Sequence, residues 1–362
     1  MRLKPRLLLV LIMFALIAIL IMFTVELTRK FVNGFKKVYD ALSIAMANDY
    51  TCKEHLGMCP VELSPDKAPP NVAFVSGGDN KVALYALQLV FITGEGKKLA
   101  NQQMQGLKQL GNIYVSSHND DNMCRIWTSE QGNNQKILWV AIRGTSNLAE
   151  AIIDLNTDQI GTFSEKIIVE NYNSSGSQNK LLVPLQDSGK GGARDAKLVE
   201  GAQVHYGFYV VWKAIQKSIV KYVENEKPDF VVMGSHSLGA AVATIGGLEL
   251  ISSGTVKPEK LFNYTFAAPR SGNPAYAKTV DAKVPNLYRY FNTSDLIPTL
   301  PLAVMPNWTN VTPPYEFSHA GYPIHFTYNG GSVANNHSTG TYQKGIQYLI
   351  DNSNPTLSKL IV

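Results

Sequence analysis

Cysteine and charge are both scarce in this chain. Three cysteines in 362 residues exclude more than one internal bridge. Cys52 and Cys59 lie seven residues apart and Cys124 stands alone, so a Cys52–Cys59 disulfide in a lumenal or extracellular body and three free thiols elsewhere both stay open. Charged residues make up only 17% of the chain, and the formal net charge of +5 is carried by one end. Residues 1–40 hold seven basic side chains (Arg2, Lys4, Arg6, Arg29, Lys30, Lys36, Lys37) against Glu26 and Asp40, which leaves 26 of each sign in the remainder. The body is therefore neutral, and this balance does not suggest a nucleic-acid partner, which requires a basic face. No internal repeat is visible, and 45% hydrophobic content is that of a globular protein rather than a disordered one.

One long hydrophobic run is present. Leu7 to Val25 is 19 residues without a charge, enough at about 1.5 Å per residue to cross roughly 30 Å of hydrocarbon. A cleaved signal peptide has a shorter apolar core and a small-x-small cleavage site, whereas Ile21-Met22-Phe23-Thr24-Val25-Glu26 is bulky, so the run reads as an N-terminal transmembrane signal anchor. Basic residues flank it on both sides and leave its orientation open. This gives three regions: an anchor over residues 1–28, an amphipathic helix and Pro-rich connector over 29–70, and one large folded domain over 71–362. Phe31, Phe35, Val38, Leu42 and Ala45 carry the helical spacing of residues 29–49, and prolines 60, 65, 69 and 70 mark the connector.

Further on, periodicity predicts a helical stretch from about Asn80 to Leu110, broken near Gly94-Glu95-Gly96. Two hairpins follow, one joining Cys124–Ser129 to Lys136–Ile142 through Gly132-Asn133-Asn134, the other joining Lys166–Tyr172 to Lys180–Leu185. Helix 207–224, strand 229–233, helix 239–252, strand 261–267, helix 273–281 and strand 286–291 then alternate. That order implies a mostly parallel central sheet with helices on its faces.

Residues 233–241, Met-Gly-Ser-His-Ser-Leu-Gly-Ala-Ala, directly follow the apolar run Phe230-Val231-Val232. Such a strand-to-helix junction is where a nucleophile elbow holds a serine, here Ser237, in a strained turn between small neighbours. Those neighbours are Ser235 and Gly239, so the pattern is S-x-S-x-G in place of G-x-S-x-G, with Gly234 one residue further back. An ordinary strand-turn-helix with small packing residues is the competing reading.

Joined to Trp139-Val140-Ala141-Ile142-Arg143-Gly144-Thr145, Val204-His205-Tyr206-Gly207-Phe208, Thr265-Phe266-Ala267-Ala268-Pro269-Arg270-Ser271-Gly272-Asn273 and Asp295-Leu296-Ile297-Pro298, the elbow makes the chain resemble the class 3 lipase family, in that family's motif order. The resemblance implies an α/β-hydrolase fold and a Ser…Asp…His triad of Ser237, Asp295 and His337. Asp281 is the rival acid, and His319 and His325 are the other downstream histidines. The resemblance further implies an oxyanion hole from Leu238 and Thr145, and a lid over residues 146–155 with Leu148, Ile152 and Ile153 on its apolar face. Arg143, Arg270 and His205 match family positions with structural roles, and the His236 side chain is expected to point away from the site.

The function implied is hydrolysis of lipid esters at a membrane or droplet surface, with no metal and no organic cofactor. Phospholipase A1 or short-chain esterase activity with the same triad, and a non-catalytic binding role, are the alternatives. Sequons begin at Asn173, Asn263, Asn292, Asn307, Asn310 and Asn336, several of them inside these motifs. The oligomeric state is left open.

Overall fold

The computed structural model describes residues 67–73, 75, 77–94, 104–114, 122–144, 182–184, 201–304 and 315–352. The expected membrane span, the helix over 29–49, Cys52 and Cys59 lie outside the described residues. No helix among the described residues is long and apolar enough to cross a membrane.

In chain order the elements are α1 (Asn80–Gly94), β1 (Lys108–Tyr114), β2 (Asn122–Gln131), β3 (Gln135–Ile142), β4 (Leu182–Pro184), β5 (Gln203–His205), α2 (Tyr206–Glu226), β6 (Phe230–His236), α3 (Leu238–Ser252), β7 (Leu261–Phe266), α4 (Pro274–Lys283), β8 (Leu287–Asn292), β9 (Tyr322–Phe326), α5 (Val333–His337) and α6 (Thr339–Asp351). Seven strands form one sheet in the order β1-β2-β3-β6-β7-β8-β9. β1, β2 and β3 pair antiparallel, and β3, β6, β7, β8 and β9 run parallel. The result is a mostly parallel mixed sheet of the α/β-hydrolase kind.

The antiparallel part begins with a tight hairpin. Asn133 and Asn134 take φ of 62° and 56° in its turn, a left-handed conformation that asparagine tolerates better than most side chains. Trp139 of β3 is buried against Tyr85 of α1, and its Nε1–H donates to Ser129 Oγ at 2.8 Å.

Alternation along the parallel strands sends residues to opposite faces, and each face is covered by helix. On one face Val232, Phe262, Tyr264 and Phe266 meet α1 in a single apolar cluster. There the backbone of α1 presses on β6 so closely that a Cβ at Gly234 would stand 2.9 Å from Ala86 Cβ. On the other face Asn263 Nδ2 donates to Ala243 O of α3 at 2.8 Å. Behind α3, the ring of Trp212 from α2 fills the notch at Gly246, where a Cβ would approach it to 2.5 Å. The buried Glu249 Oε2 closes that helix pair by accepting from Trp212 Nε1, Lys213 Nζ and Gln216 Nε2, each at 2.8 Å. A buried carboxylate is tolerable because several donors offset its lost hydration.

One expectation is corrected. The helix over 80–110 ends at Gly94, and Lys108–Tyr114 is an edge strand paired with β2; pairing with a distant segment overrides the helix-favouring composition of Lys108-Gln109-Leu110. Of the second hairpin, residues 166–172 lie outside the described residues, and Leu182–Pro184 of its other arm runs antiparallel to Gln203–His205.

His205 ends β5 buried between Phe208 and Phe317, with ring centroids at 4.4 and 6.0 Å. Burial lowers its pKa to about 4, against about 6.5 in an unfolded chain. Between those values the unfolded chain binds a proton that the folded one refuses, so stability is present above pH 6.5 and declines as pH falls toward 4. The loss from this residue is expected to reach about 2–3 kcal/mol by pH 4.5. Urea unfolding at pH 7 and pH 4.5 is expected to show a smaller acid loss for His205→Phe than for the parent, and an identical acid loss would remove His205 as its source.

Candidate active site

Ser237 stands at the junction of β6 and α3, with φ 57° and ψ −129°, a sparsely populated conformation that costs about 1–3 kcal/mol. Two glycines permit it. A Cβ at Gly239 would lie 2.3 Å from Arg143 O, and one at Gly144 would lie 2.8 Å from Ser237 Cβ, so the start of α3 can touch the end of β3 only without those side chains. The Ser237 N–H donates to Phe266 O of β7 at 2.9 Å and fixes the turn from the other side. Ser235, the departure from the usual elbow pattern, is fully buried with its Oγ 3.4 Å from Tyr264 O. The backbone contact that demands glycine before the serine falls one residue earlier, at Gly234.

A serine at a helix N-cap ordinarily accepts a backbone N–H from the first turn, but the Ser237 hydroxyl does not. It lies 2.9 Å from His337 Nε2. His337 Nδ1 in turn lies 2.8 Å from Asp295 Oδ2. An ionised carboxylate only accepts, so in the neutral imidazole the proton sits on Nδ1, Nε2 is the acceptor, and the serine O–H donates to it. All three side chains are buried.

Asp295 follows β8 in the turn before Ile297-Pro298. Its Oδ1 accepts the Ile297 N–H at 3.0 Å, and its Oδ2 also accepts the Tyr342 hydroxyl at 2.8 Å. Burial, and next the Asp295 charge, push the Tyr342 phenol well above its ordinary pKa, so it remains a donor. Leu238 opens α3, which places its N–H in the first turn, where intrahelical acceptors are absent. Thr145, Leu148, Ile152 and Ile153 lie outside the described residues.

The rivals are occupied elsewhere. Asp281 Oδ1 accepts the Gly321 N–H at 2.7 Å on the surface. His319 Nε2 donates to Pro298 O at 2.7 Å, and burial first, then Arg289, take its pKa down to about 3. His325 stacks on Phe291 at 5.7 Å. Arg270 donates to the carbonyls of Thr299 and Pro301, which braces the segment following Asp295.

His236 corrects its expectation. Its ring lies 4.7 Å from that of His337, and its Nε2–H donates to the His337 carbonyl at 2.9 Å. Burial, followed by the neighbouring His337, holds its pKa well below 6.5, so it is neutral. Alternation along β6 puts residue 236 on the face that carries α6, a relation between distant segments that the local motif does not reveal. Sequence reasoning also missed the hydroxyl of Tyr342 on Asp295, for which the one available signal was an aromatic five residues beyond His337.

Over 123 residues the chain is 38% identical to the secreted mono- and diacylglycerol lipase A of Penicillium cyclopium, an alignment covering 33% of this chain and 38% of that protein. Over 128 residues it is 34% identical to the secreted mono- and diacylglycerol lipase 1 of Fusarium solani, covering 34% and 37% respectively. The chain thus spans under two-fifths of the length of these relatives. Among solved structures, a triacylglycerol lipase whose catalytic centre is formed by a serine protease triad aligns with a TM-score of 0.47 at 21% identity, over 69% of this chain and 81% of that one. Residues 139–305 match the family described as lipase (class 3), a stretch that contains Ser237 and Asp295 and stops short of His337. Over residues 139–305 the chain is similar to the class 3 lipase family.

Proposed function

We propose that this protein is a serine hydrolase that cleaves carboxylic esters of lipids through an acyl-enzyme, with Ser237 as nucleophile, His337 as general base and acid, and Asp295 orienting the imidazole. The observation that carries the reading is the hydrogen-bond chain from a buried serine in a strained elbow, through His337, to Asp295. In the first half-reaction the Ser237 proton passes to His337 Nε2 as Oγ attacks the ester carbonyl. Asp295 then stabilises the imidazolium, whose Nδ1–H it already accepts. The oxyanion is received by the N–H of Leu238 and by Thr145, in a region favoured by the positive end of the α3 dipole. His337 returns the proton to the leaving alcohol, and water repeats the sequence to release the carboxylic acid. This chemistry calls for no metal or organic cofactor.

The Penicillium and Fusarium relatives are named as mono- and diacylglycerol lipases, which supports glycerol esters as the substrate class here. Ser237→Ala, Asp295→Asn and His337→Ala are each expected to lower ester hydrolysis by about 10⁴-fold while the fold persists. Fluorophosphonate labelling, followed by a panel of acylglycerols, phospholipids and short p-nitrophenyl esters, tests site and substrate together. Normal turnover by Ser237→Ala would overturn the mechanism, and preference for phospholipid or short ester would move only the substrate.

Residues 146–155 are proposed as a lid whose Leu148, Ile152 and Ile153 cover the site in water and turn outward at a lipid surface. Exposing about 100 Å² of apolar surface on opening costs roughly 2.5 kcal/mol. That is enough to keep the site mostly closed until an interface covers that surface. Chain lacking residues 1–28 is expected to gain rate as its ester passes the solubility limit, and Ile152 and Ile153 replaced together by serine to lose that gain. A smooth dependence on monomeric ester, indifferent to the substitutions, would eliminate the lid.

Residues 7–25 are proposed to anchor the enzyme beside its insoluble substrate, with the uncharged 19-residue run as support. Membranes washed in carbonate are expected to retain the chain with its N-terminus intact. A soluble mature chain starting near residue 27 would instead make it secreted, as the two fungal relatives are named.

A further inference from the structure

Behind the acid and the base lies a set of polar groups that the mechanism above leaves unused. Asn292 is the last residue of β8, 1% exposed and three residues before Asp295. Asn336 lies on α5 directly before His337. Their side-chain amides are exchanged between the two segments. Asn292 Nδ2 donates to the backbone carbonyl of Asn336 at 3.1 Å, and Asn336 Nδ2 donates to the backbone carbonyl of Ser294 at 3.0 Å. Each amide thus grips the peptide unit next to the functional side chain of the other segment.

Both amides also hold a third segment, and Asn292 closes its own turn. Asn292 Oδ1 accepts the N–H groups of Tyr328 at 2.9 Å and Ser294 at 3.2 Å, while its Nδ2 also donates to Tyr328 O at 2.8 Å. Asn336 Oδ1 accepts the Gly330 N–H at 2.6 Å. Satisfying backbone groups at a strand end explains the Tyr328 and Gly330 bonds. It does not explain why the two crossing bonds flank the His337–Asp295 contact from either side. Aspartate at either position would lack the donors, and alanine or serine would lack the reach.

We propose that Asn292 and Asn336 form a reciprocal amide clasp that sets the register of His337 on Asp295, making both of them positioning residues for the hydrolysis; this rests on the reading of Ser237, His337 and Asp295 as the triad. The clasp joins the loop after β8 to α5, two segments with no covalent reason to keep a fixed spacing. A displacement of about 1 Å at such a contact is enough to cost about 10²-fold in rate.

Asn292→Ala, Asn336→Ala and the double variant, made in the full chain, test the proposal on a short soluble ester well below the lowest thermal midpoint. Each single variant is expected to lower kcat by about 10–100-fold with KM held within about threefold. The double variant is expected to fall less than the product of the singles, because both act on one contact. Asn336→Ser, which removes the exchanged donor at a position only partly buried, carries the test if Asn292→Ala does not fold. A kcat within threefold of the parent in folded variants, or a loss confined to KM, overturns the clasp while an active, fluorophosphonate-labelled parent leaves the triad standing. A parent that neither labels nor hydrolyses overturns the triad and the clasp with it.

Discussion

The backbone of Ser237 is held in a left-handed turn that a serine does not adopt when left to itself, and the surrounding sequence is shaped by the need to hold it there. A strain of about 1–3 kcal/mol persists only where neighbouring structure over-determines the conformation. Here β7 accepts the serine N–H, and β3 and α3 approach until only glycine fits at 144 and 239. The same turn starts α3, so the strand register, the helix entry and the direction of the hydroxyl are one geometric fact. Releasing the strain would move all three.

Among the described residues the site is buried and sparsely charged. Asp295 has the imidazole, a phenol and a backbone N–H around it, and no lysine or arginine donates to it among the described residues. Among the described residues the carboxylate is held by dipoles rather than by a counter-charge, so in the proposed mechanism a cation on His337 would be its ionic partner. His236 adds a neutral ring beside that cation and none of its own charge. Burial keeps His205 and His319 neutral as well.

What the sequence made legible follows the range of the forces involved. The alternation from residue 207 to 291 was readable because each element carries its own periodicity, and the observed bounds shift by only a few residues. Strand β6 runs on through Gly234, Ser235 and His236 because Tyr264, Thr265 and Phe266 supply ladder partners, and nothing local announces them. Lys108–Tyr114 was missed as a strand for the same reason. Ser237, Asp295 and His337 were visible through motifs, each with its own small context. Tyr342, Asn292 and the orientation of His236 were not, since their significance lies in contacts between segments 36 to 106 residues apart.

Three of the six Asn-x-Ser/Thr sequons fall on residues that the fold consumes. Asn263, Asn292 and Asn336 each direct Nδ2 to a backbone carbonyl in the described structure, and Nδ2 is the atom to which an N-linked glycan would be joined. A sugar on Asn263 would have to lie between β7 and α3, where the residue has no exposed surface. In a compartment that glycosylates nascent chains, closure of the sheet and sugar transfer would compete for the same nitrogen atoms. The order of those two events would decide whether a given molecule can finish folding, so the yield of active protein becomes a property of the host that makes it as well as of the chain.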